Sequence, residues 1–187
     1  MMDFLLIAIP LLTFISSFSL LALGTYELIN PAFRFWPPPE GQPRKKFVFM
    51  TLFRIVVYGL VICSILYLWR IGLQFSTPAI LLAILLIACG FAIALGSTVA
   101  LGWTNAFGSK EGLRTDGIFR YSRNPIYVAT WFGLAGWALL VPVPLVIATL
   151  MNWALLYLVA IFIEERWLTR EYGEPFLEYC RKVRRFF

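Results

Sequence analysis

Five long apolar runs, separated by polar or proline-rich breaks, leave this chain few ways to fold. They cover residues 4–29, 47–69, 78–103, 125–141 and 145–163. A helix needs about 20 mostly apolar residues to cross roughly 30 Å of hydrocarbon, where each backbone polar group must be satisfied within the segment. The fold class is therefore read as all-α, a polytopic membrane protein of about five transmembrane helices. The first run is too long for a signal-peptide core and lacks a basic leader, so it too is read as a span. Composition agrees: 60% of residues are hydrophobic and 14% charged, against about 45–50% and about 25% in soluble domains. That excludes a soluble enzyme, a disordered tail and a disulfide-stapled secreted scaffold. Cys63, Cys89 and Cys180 form no CxxC pattern, and no metal-ligand cluster is evident. The chain has no histidine, which removes Ser-His and Cys-His nucleophile pairs and histidine-held metals or haem.

Charge sets the expected orientation. With five spans, 14 of the 16 Lys and Arg residues fall on one side: Arg34 and 44–46, then Lys110, Arg114, Arg120 and Arg123, then six in the tail. Arg70 lies opposite and Arg54 lies within the second span. The positive-inside rule puts the amino terminus outside and the carboxyl terminus in the cytoplasm. The net charge of +6 is thus read as orientation and contact with anionic headgroups, not as a nucleic-acid surface. The bilayer is the expected partner, and short loops and small size suggest a prokaryotic inner membrane.

The chain divides for description into 1–103, with three spans, and 104–187, with a transmembrane hairpin and a tail, together one structural unit. In the third span Ala88, Ala92, Gly96 and Ala100 recur at i+4, a pattern that lets helices approach closely in lipid. Arg54 either snorkels to the interface or faces a polar cavity. Residues 164–172 continue the last span as helix, Gly173 stops it, and Pro175 opens an amphipathic basic segment with Phe176, Tyr179 or Cys180, Val183 and Phe187 on one face. Such a segment anchors at the interface or covers a site, and the two are compatible.

The last hairpin gathers the polar groups. Asn124 lies 20 residues before Pro144 and Glu164 lies 20 after it. An antiparallel pair turning at 142–144 brings both to one height, since each arm rises about 30 Å. The 115–127 stretch then faces Glu164 and Glu165 across a short gap. Pro125 suits the first turn of the fourth span and Asn124 its N-cap. Free N–H groups there, with Arg123, would attract a carboxylate, while paired glutamates would accept from hydroxyls or an ammonium.

The stretch from Gly117 to Tyr127 resembles the Gly-Pro-Tyr-Arg-Tyr-x-Arg-His-Pro-x-Tyr signature of the isoprenylcysteine carboxyl methyltransferase family. The tail, from Glu164-Glu165-Arg166-Trp167-Leu168 to Arg185-Phe186, is similar to that family's carboxyl-terminal block, and the related phospholipid methyltransferases share a paired glutamate there. The resemblance covers about residues 80–187. It implies an integral-membrane methyltransferase that uses S-adenosylmethionine at the cytoplasmic end of the last helices, covered by the tail. Carried over by motif position, Arg123 and Glu165 are the expected catalytic residues. Tyr121, Asn124, Pro125, Tyr127, Glu164 and Glu165 are the expected cofactor-binding ones, and Arg185 is a lesser candidate. The sequence departs from the signature at Ile118-Phe119, at Asn124 for His, at Ala129 for Gly and at Arg184 for Pro.

Methyl transfer from a sulfonium is an in-line displacement in which alignment carries much of the catalysis. An anionic acceptor needs orientation, by Arg123 or Arg54, but no base. A protonated amine would require Glu164, Glu165 or Tyr127 to take its proton. The inventory leans toward a carboxylate on a lipidic or prenylated small molecule or peptide. Two other classes compete: a nicotinamide-dependent membrane reductase of the sterol-reductase type, and a non-enzymatic membrane scaffold or transport component.

Overall fold

Prolines mark where the apolar runs become helices. The computed structural model describes residues 2–37, 42–106 and 112–186. Its helices are α1 (Met2–Ile29), α2 (Pro43–Ile71), α3 (Thr77–Leu101), the single turn α4 (Trp103–Ala106), a 3₁₀ turn (Gly117–Arg120), α5 (Pro125–Leu140), α6 (Pro144–Tyr172) and α7 (Glu174–Lys182). Pro43, Pro78, Pro125, Pro144 and Pro175 each occupy the first turn of their helix, where a missing N–H costs nothing and the fixed φ is already helical. Gly173, at φ +57, ends α6 and starts α7, a conformation that glycine adopts without steric cost. Lys110 and Phe187, counted above in the basic loop and the tail face, lie outside the described residues.

Among the described residues, four helices are long and apolar enough to cross a membrane: Leu6–Ile29, Pro43–Ile71, Thr77–Leu101 and Pro144–Tyr172. The fifth, α5, has 16 residues and so measures about 24 Å at 1.5 Å per residue. The expected five-span bundle is thus four full-length helices and one short one.

The helices pack in two groups. In the first, α3 lies along α5; in the second, α1 lies between α2 and α6. Elements of 1–103 and 104–187 therefore interleave. The α3–α5 seam brings backbones into contact: a Cβ on Gly90 would sit 2.4 Å from the Gly133 nitrogen, and one on Gly136 would sit 2.6 Å from the Ala83 carbonyl. In lipid, such close approach supplies the packing that the hydrophobic effect cannot. The small residues that α3 buries are Ala83, Gly90, Ala94 and Ser97. The expected stripe of Ala88, Ala92, Gly96 and Ala100 is exposed instead. An all-apolar helix has no polar face to show which side turns inward. Arg54 is exposed as well and is not among the residues that line the cavity described below, which favours the snorkelling reading.

Within the second group, Gly59 abuts Thr13 and the Asn152 amide donates to Ser17 Oγ at 3.1 Å. Indoles on α5 tie the two groups together. Trp137 Nε1 donates to Ser64 Oγ at 2.7 Å and Trp131 Nε1 to the Ala154 carbonyl at 3.1 Å. Around them lies a core that includes Leu20, Leu60, Leu134, Val146 and Leu150.

Candidate active site

The start of α5 and the last third of α6 meet at one end of the bundle. Tyr127 Oη donates to Glu164 Oε1 at 2.5 Å, and the Arg123 guanidinium lies 3.1 Å from Glu165 Oε1. The antiparallel arrangement expected from the 20-residue arms is what makes these contacts possible. Consecutive helical residues point about 100° apart, so the adjacent carboxylates enter different surroundings. Glu164 accepts a second hydrogen bond from Trp36 Nε1 at 2.6 Å. Glu165 receives Arg185 as a fork, with Nη2 at 2.7 Å and Nε at 3.0 Å from Oε2. One carboxylate thus sits among neutral donors and the other between two guanidiniums. Side-chain exposures of 11% for Arg123 and 15% for Glu165 place that pair in surroundings where charge–charge attraction is only weakly screened.

The tail closes this end. Phe176 and Tyr179 on α7 are buried against Phe119 of the 3₁₀ turn, and Tyr179 Oη donates to the Phe119 carbonyl at 2.7 Å. Burial pushes the Tyr179 phenol up to about 12, which keeps it a donor, and burial likewise raises the Cys180 thiol. Beyond α7 the chain doubles back on the turn before α5. The Arg123 N–H donates to the Arg184 carbonyl at 3.1 Å, and Asn124 Nδ2 donates to the Arg185 carbonyl at 3.1 Å. Asn124 does stand at the N-cap of α5, but its side chain makes no capping bond; the tail carbonyl takes it. An amide supplies that donor without any protonation change. Hydrogen bonding to Glu165 raises the Arg185 guanidinium above its already high range, so the pair stays ionic.

Beneath the tail lies a cavity of about 360 Å³, within the range of small-molecule sites. Its walls are mostly apolar, with Phe49 and Phe53 from α2, Leu101 from α3 and Leu156 and Ala160 from α6. Its polar end carries Arg123, Asn124, Pro125, Tyr127, Glu164 and Glu165, so the structure brings six of the sequence-selected residues to one chamber. Tyr121 is not among them: it is 79% exposed, because Phe119 takes the inward position of the 3₁₀ turn. Arg185 reaches the chamber through Glu165.

The profile of the phospholipid methyltransferase family matches residues 78–175, more than half of the chain. The chain belongs to that family. No curated protein and no solved structure matches it. Membrane methyl transfer is the activity this phospholipid methyltransferase membership carries. The match begins at α3 and ends in the first turn of α7, so it includes both glutamates and the Arg-Asn-Pro turn. Trp36 lies outside it, and so does Glu27, a buried carboxylate that accepts from the Phe35 and Trp36 backbone N–H groups at 2.7 Å each. Sequence reasoning missed both. The only available signal was an acidic residue in the last turn of an otherwise apolar span, a costly placement unless it is partnered.

Proposed function

We propose that this phospholipid methyltransferase relative transfers the methyl group of S-adenosylmethionine to a lipidic acid at the cytoplasmic face of the membrane. One observation carries the reading: the polar end of a largely apolar chamber presents a guanidinium, an uncapped helix start and two carboxylates together. Arg123 Nε is buried without a hydrogen-bond partner among the described residues, and α5 begins without a side-chain cap. Both suit the carboxylate of an amino-acid group. Glu164 and Glu165 suit its ammonium and ribose hydroxyls, and the aromatic walls suit a purine. When bound, the cofactor supplies an electrophilic methyl group on a sulfonium sulfur.

What the chain itself does is bind, orient and exclude water. The groups able to serve as bases are engaged: Tyr127 donates to Glu164, Glu164 accepts two hydrogen bonds, and Glu165 is ion-paired. A carboxylate acceptor needs no proton removed, so this arrangement favours it over a protonated amine. The apolar walls suit a lipid chain, and the clustering of basic residues at the site end of the helices supports the cytoplasmic assignment.

Calorimetry on detergent-purified protein tests this reading. S-adenosylhomocysteine binds, and binding is lost in folded Arg123→Ala and Glu165→Ala variants. Selective binding of NADPH would establish the reductase class instead, and failure to bind either would remove the enzymatic reading. With labelled S-adenosylmethionine, isoprenoid or fatty acids accept the methyl group; labelling of an amino lipid alone would overturn the carboxylate assignment.

A further inference from the structure

The loop between α1 and α2 is held by two ionisable side chains that do not pair with each other. Glu27 is 5% exposed, and its Oε2 accepts both the Phe35 and the Trp36 N–H at 2.7 Å. From the far side, Lys45 Nζ donates to the Phe33 carbonyl and, at 3.0 Å, to the Arg34 carbonyl. It also lies 4.6 Å above the Phe33 ring. Between these grips Arg34 holds φ +38, a left-handed conformation costly for a residue with a Cβ, which persists only where its surroundings impose it. Phe35 is buried at 3% exposure and packs edge-on to Phe49. A buried carboxylate, a lysine and a strained residue are thus spent on one short loop. The side chain that this loop delivers is Trp36, whose indole lies against Phe49 and donates to Glu164 at 2.6 Å.

We infer that Glu27 and Trp36 are positioning residues for methyl transfer, acting through Glu164. Their part of the chain lies outside the family match, yet it fixes one of the two glutamates inside it. Glu164 Oε1 takes both Trp36 and Tyr127, one donor from each packing group. Two donors on Oε1 fix the orientation of a carboxylate that lines the chamber. Removing the indole N–H frees the carboxylate to rotate toward Tyr127. Removing the Glu27 acceptor releases the loop and, with it, the indole. Trp36 also lines the chamber, so it stands where a ligand held by Glu164 would feel the change.

This assignment rests on the proposed function, and the test keeps the two apart. Affinity for S-adenosylhomocysteine is measured by calorimetry on the full chain and on Trp36→Phe, Glu27→Ala, Glu27→Gln and Glu164→Gln, with thermal unfolding checking that each variant is folded. Trp36→Phe and Glu27→Ala each weaken binding about tenfold, the worth of one charge-assisted hydrogen bond. Glu27→Gln, which keeps an acceptor oxygen, restores most of the loss. In a Glu164→Gln background the Trp36→Phe change costs little more, because the two residues act as one unit. A loop that merely supports the fold would lower the unfolding temperature without that non-additivity. Affinities for Trp36→Phe and Glu27→Ala within about twofold of the unmutated protein, or losses fully additive with Glu164→Gln, would overturn the inference. Absence of binding by the unmutated protein removes the proposed function and this assignment together, before any variant is compared.

Discussion

The 30–37 loop and the tail beyond Lys182 come from distant parts of the chain and end on neighbouring carboxylates, and they hold them by different physics. The loop reaches Glu164 with an indole N–H and is itself anchored by the buried Glu27. The tail reaches Glu165 with a guanidinium that is 38% exposed and ties its own carbonyls to Arg123 and Asn124. A hydrogen bond from a neutral donor in a buried niche is short-ranged and nearly indifferent to salt. An ion pair at a half-open surface gains from charge but is screened by the medium. The comparison teaches that one end of a helix can carry a fixed acid and an ionically fastened one on consecutive residues.

The largest effect expected of breaking this symmetry is at Glu165. Glu165→Ala leaves the buried Arg123 guanidinium unpaired, and losing one partner of such a pair costs about 3–5 kcal/mol. Glu164→Ala removes one acceptor shared by two neutral donors, Tyr127 and Trp36, at about 1–3 kcal/mol. Denaturation in mixed micelles ranks them, and equal losses would break the comparison. A smaller effect sharpens it. Raising salt from about 0.1 M to about 1 M shortens the screening length from about 10 Å to about 3 Å. Hydrogen exchange at the Arg123 N–H, which is bonded to the tail, speeds up with salt. Exchange at the Phe35 and Trp36 N–H groups does not, and Arg185→Ala abolishes the difference. The smallest expected effect is at Tyr121: Tyr121→Ala changes stability by no more than about 0.5 kcal/mol and leaves S-adenosylhomocysteine affinity unaltered in the same calorimetry.

Much of this could be read before any coordinates, because membrane helices announce themselves. The apolar runs, the prolines that open helices and Gly173 set the elements, and two arms of 20 residues predicted that Arg123, Asn124 and the twin glutamates would meet. What escaped was whatever depends on rotation about a helix axis or on contacts across long stretches of chain. Both small-residue stripes of α3 read alike in sequence, and only the glycines of α5 decide between them. Trp36 meets Glu164 across 128 residues, with no periodicity to announce it. Tyr121 carries the signature's residue type, but the 3₁₀ turn spends its inward position on Phe119. Asn124 was expected to cap a helix, and the tail offered its amide a different partner.

Three side chains on α5 fasten the two helix groups at successive heights: Trp137 far from the site, Trp131 midway and Tyr127 beside the glutamates. The first two use half-buried indole donors that end on a hydroxyl and a backbone carbonyl. Only the third ends on a carboxylate that lines the chamber. The fastening of α5 to its neighbours and the shaping of the chamber's polar end are therefore one and the same contact at Tyr127.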